Sequence, residues 1–81
     1  MEIVDKVIQQ IKNKLNGRRF DDQLLDTVTA MLQRHGYGAA KLVALGEDDE
    51  LVKVLEIMQE YNITIQNACI ILQHLNAIVT M

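Results

Sequence analysis

The chain predicts an all-α fold, a small bundle of four to five helices, and three observations carry that prediction. Proline is absent and only Phe20, Tyr37 and Tyr61 are aromatic. Leu, Ile, Val, Ala, Gln, Lys and Glu dominate the remainder, a mixture that favours helices over sheets. Apolar residues recur at three- and four-residue steps through most of the sequence, the period of a helix with one buried side. Eighty-one residues are enough for one domain spanning 1–81, and a chain of this size hides about 60–65% of its unfolded surface, an adequate core rather than a generous one.

The first helix is marked by Ile3, Val4, Val7, Ile8, Ile11 and Leu15, with polar residues between them. Asn16-Gly17 supplies a left-handed stop, with Gly17 just past the end. The second helix starts at Asp21 or Asp22, whose carboxylates accept from the free N–H groups of a first turn and suit its positive end. Phe20 before the cap and Leu25 after it fit a hydrophobic staple. Leu24, Leu25, Val28, Met31 and Leu32 form its buried stripe, and Gly36-Tyr37-Gly38 is expected to end it, although two glycines around a tyrosine also suit a flexible elbow. Ala39 to Leu45 has room for two further turns, closed by Gly46. Glu47-Asp48-Asp49-Glu50 then opens the next helix, where carboxylates are favoured by about 0.3–1 kcal/mol each. Leu51, Val54, Leu55, Met58 and Tyr61 mark its buried side, and Asn62, tolerant of the left-handed conformation, ends it. Thr64 caps the fifth helix, with a core stripe of Ala68, Ile71, Leu72, Leu75 and Ile78.

Composition excludes several functions. The net charge of −3 gives the chain no basic field toward nucleic acid or an anionic membrane. No apolar run approaches the roughly 18–20 residues that span a bilayer, and the opening residues interleave charge with apolar side chains, so neither membrane nor secretory leader is expected. A lone cysteine, Cys69, precludes an intramolecular disulfide framework and fits a reducing compartment, which makes the cytoplasm the expected location. The acidic run lacks the alternating ligands and turning glycine of a calcium loop. Zinc needs three or four ligands, and Cys69, His35 and His74 are scattered. No nucleophile stands near a base with a third group to orient it. The expectation is therefore no metal, no cofactor and no catalysis.

The pair of helices around Asn62-Ile63-Thr64 resembles the helix-turn-helix unit of bacterial regulators. Ile57, Tyr61, Ile63, Ala68 and Ile71 fall where that unit is apolar, Asn62 takes the place of its turn glycine, and Thr64 caps the second helix. The resemblance covers about a quarter of the chain, and Met58 stands where the unit places a small residue. It implies a DNA reader with Gln66, Asn67 and Gln73 against base edges, the first two suited to adenine. Lys14, Arg18 and Arg19, from the chain's one basic concentration at Lys12 to Arg19, would then lie on the backbone. The same helices look like the closing pair of a sterile alpha motif, but their order differs and its tryptophan is missing.

Against the DNA reading, the outward residues of the fifth helix include no base, and phosphate contacts supply most non-specific affinity. Its apolar content also exceeds one buried face: Ile65, Cys69 and Ile70, extended by Val79 and Met81, form a second strip. Such a strip either seats the helix centrally among the first, second and fourth, or it is a contact for another molecule. A few aliphatic side chains at about 1.5–3 kcal/mol each can drive association, most simply by isologous pairing of identical copies. The expected function is a non-enzymatic interaction module, an adaptor, regulator or stoichiometric inhibitor, self-associating as a homodimer through Ile65, Gln66, Cys69, Ile70 and Gln73. The alternative is the DNA-binding regulator.

Overall fold

The computed structural model describes residues 2–80, and among these the ordered elements are all helices: α1 (Ile3–Leu15), α2 (Asp22–His35), α3 (Tyr37–Ala44), α4 (Asp49–Glu60), α5 (Ile65–Gln73) and α6 (Leu75–Val79). Each packs on two others, in the cyclic order α2, α3, α4, α1, α6, α5 and back to α2. Ile11, Leu32, Leu51, Leu55, Met58, Leu72 and Leu75 are fully buried inside this ring and belong to one continuous core. The Cα trace measures 29 × 23 × 16 Å. So thin a body leaves every helix an outward side, and α5 lies on the rim against α2 rather than at the centre.

Local chemistry explains most of the boundaries. Asn16 and Gly17 both take positive φ, 50° and 83°, and close α1. Asp21 caps α2 by accepting from the Leu24 N–H at 2.9 Å, with Phe20 and Leu25 both buried on either side of the cap. Asn62, at φ 58°, ends α4. The Asn62 N–H donates to the Gln59 carbonyl at 3.0 Å and the Ile63 N–H to the Met58 carbonyl at 2.9 Å. These two bonds make a Schellman stop with asparagine in the glycine position, and Ile63 and Met58 supply its buried apolar contact.

Three expectations are corrected. Gly36 alone ends α2, at φ 89° and ψ −173°, a region that essentially only glycine enters; Tyr37 and Gly38 already belong to α3, so the two helices abut without an elbow. The fifth helix divides at His74, whose N–H donates to Ile71 three residues back at 3.2 Å, which raises the helix count to six. Beyond the break the chain leaves α2 for α1, and Asn76 and Val79 are buried while Ile78 is only half-buried. Finally, α5 does not sit among the first, second and fourth helices: its main neighbours are α2 and α6.

Asn76 shows why the break falls where it does. Its Oδ1 accepts from the Phe20 N–H and its Nδ2 donates to the Phe20 carbonyl, both at 2.9 Å, and Nδ2 also donates to an Asp22 carboxylate oxygen at 2.6 Å. One amide therefore satisfies both polar groups of a buried residue in the α1–α2 corner, and ties α6 to it.

Candidate interaction surface

Three contacts aim α5. Thr64 Oγ1 accepts from the Asn67 N–H at 3.2 Å, the Schellman stop fixes the preceding turn, and the Tyr37 hydroxyl donates to the Ile63 carbonyl at 2.7 Å. Burial pushes the Tyr37 phenol up to about 12, with the Cys69 thiolate adding in the same direction. Tyr37 is thus held neutral, as a donor, through the physiological range.

With α5 so placed, Ile65, Gln66, Ile70 and Gln73 face Gln33 of α2 across a shallow groove of about 440 Å³ whose floor is Cys69. Ile70 is 50% exposed, Ile65 is half-buried, and Gln66, Asn67 and Gln73 are exposed. Two members expected in the outward strip are not there. Cys69 is buried, its thiol directed at the Thr29 carbonyl at 3.9 Å, and Val79 is buried against the core at 5% exposure. Cys69 is a small residue at the α2–α5 seam, and the same burial raises its pKa, so it serves as packing rather than as a reactive contact. Met81, the last member of the strip, lies outside the described residues.

The basic cluster divides as well. Arg18 extends over the Phe20 ring, 4.8 Å from its centroid, and pairs with Asp48 at 2.7 Å. Asp48 meanwhile uses its other oxygen to cap α4 through the Glu50 N–H at 3.1 Å. The guanidinium therefore fastens the α1–α2 corner to the start of α4. Arg19 and Lys14 are exposed, and Lys14 shares a surface depression with Lys53, Glu56 and Glu60, where two acids balance the two lysines. Among the described residues, no three of His, Cys, Asp and Glu converge as metal ligands, and no helix is long and apolar enough to cross a membrane.

No family model, curated protein or solved structure matches the chain. Two exposed residues escaped the sequence reading: Leu42 and Leu45 of the α3 end, at 72% and 60% exposure. Their spacing looks like part of a core stripe, and only the burial of Ala40 and Ala44 reveals that α3 packs through its small residues.

A charge asymmetry completes the picture. All nineteen Asp, Glu, Lys and Arg residues precede Tyr61, and none occurs from Tyr61 to Met81. The exposed side of α5 and α6 is consequently built from Gln66, Asn67, Ile70, Gln73, His74 and Ala77, an almost uncharged face on an otherwise charged molecule.

Proposed function

We propose that this chain is a non-enzymatic interaction module, an adaptor, regulator or stoichiometric inhibitor, that pairs with a second copy of itself through the outward face of α5 beside Gln33. The observation that carries the reading is the half-exposed Ile70 over a groove with no Asp, Glu, Lys or Arg in its lining. In an isologous contact each patch meets its own copy. Glutamine amides both donate and accept and so pair with themselves, whereas a charged rim would set like charges against each other. For a chain of net charge −3, an uncharged face is the one where two copies approach with least repulsion. Burying what remains exposed of Ile65 and Ile70, worth about half of the roughly 1.5–3 kcal/mol of a fully exposed aliphatic side chain each, supplies the attraction.

Sedimentation equilibrium over a rising concentration series tests this. The expected result is a monomer–dimer equilibrium that the Ile65→Asp, Ile70→Asp double variant converts to a folded monomer. An unmodified protein that remains monomeric at high concentration removes the self-association.

A second reading, a duplex-DNA-binding regulator, draws support from the exposed amides of Gln66, Asn67 and Gln73 on the helix that follows the turn. It is the weaker, because Arg18 is engaged by Asp48 and α5 brings no cation. Its test is a mobility shift at low ionic strength, where phosphate-driven binding is strongest; no shift there eliminates it.

A further inference from the structure

We draw no further inference here: the strongest candidate, the apolar surface patch that Leu42 and Leu45 expose at the C-terminal end of α3, is an unpartnered helix face, and nothing in the structure shows what covers it.

Discussion

Replacing Asn76 by alanine should be among the most damaging single changes in this protein. The side chain is 8% exposed and makes three hydrogen bonds, two with the Phe20 backbone and one with Asp22. Neutral bonds contribute about 0.5–1.5 kcal/mol each and one to a charged partner about 1.5–3. Asp22 is exposed and regains water when its partner is lost, so its share falls at the low end. The expected loss is about 3–4 kcal/mol, and the desolvated Phe20 N–H and carbonyl left behind are the same loss seen from the other side. A domain of this length has roughly 4–12 kcal/mol of total stability, so the midpoint of urea unfolding should fall by a large fraction. Asn76→Asp retains the acceptor for the Phe20 N–H but turns a second oxygen toward the Phe20 carbonyl and the Asp22 carboxylate. The introduced carboxyl should be raised in pKa by burial and by Asp22. Its folded form thus prefers the proton, and the variant's deficit should be smaller at pH 3 than at pH 8. Adding Asp22→Asn to Asn76→Asp should recover part of the loss at pH 8. If Asn76→Ala stays within about 1 kcal/mol of the unmodified protein, below the range of a lost buried network, or if Asn76→Asp is no worse than alanine at pH 8, the clamp is not what holds α6 to the corner.

Two further predictions rest on the α2–α3 junction. Gly36→Ala should destabilise by about 1–3 kcal/mol through backbone strain alone, since no atom lies within 4 Å of a Cβ built there; Gly38→Ala, equally unobstructed but inside α3, should stabilise by up to about 1 kcal/mol, and urea titration of the pair reads the opposite signs directly. The neutral Tyr37 phenol is the form the fold prefers, because its pKa rises to about 12 on folding. Its contribution should be intact below about pH 10, the value in an unfolded chain, and lost as pH climbs toward 12. Thermal melts across that window should fall more steeply for the unmodified protein than for Tyr37→Phe, which removes both the buried phenol and its repulsion with the Cys69 thiolate.

Particular residues show how far the sequence could be read. Asp21, Asn62 and Thr64 were legible as caps and stops because their bonds reach only a few residues along the chain. The stripe Leu51, Val54, Leu55 and Met58 was legible because a helix that buries one face must repeat at its own period. Gly36 was readable as a stop, but that one residue in an unusual conformation replaces a whole loop was not. Of the candidate contact residues, Ile65, Gln66, Ile70 and Gln73 do line one groove, whereas Cys69 is its floor and Val79 is core. Periodicity gives the angle of a residue around its helix, and it cannot say which angles a neighbouring helix covers.

By itself, then, the sequence determined the helical class, the local stops and caps, and the absence of charge after Glu60, because each depends on residues within a turn or two of one another or on composition alone. Tertiary structure decided the ring order of the helices, the break at His74, the Asn76 clamp across 56 residues of sequence, the engagement of Arg18 by Asp48 and the exposure of Leu42 and Leu45. Each of these is a choice of partner from a distant segment. Burial and pairing are properties of what comes to lie opposite a side chain, and that is set only when the whole core closes.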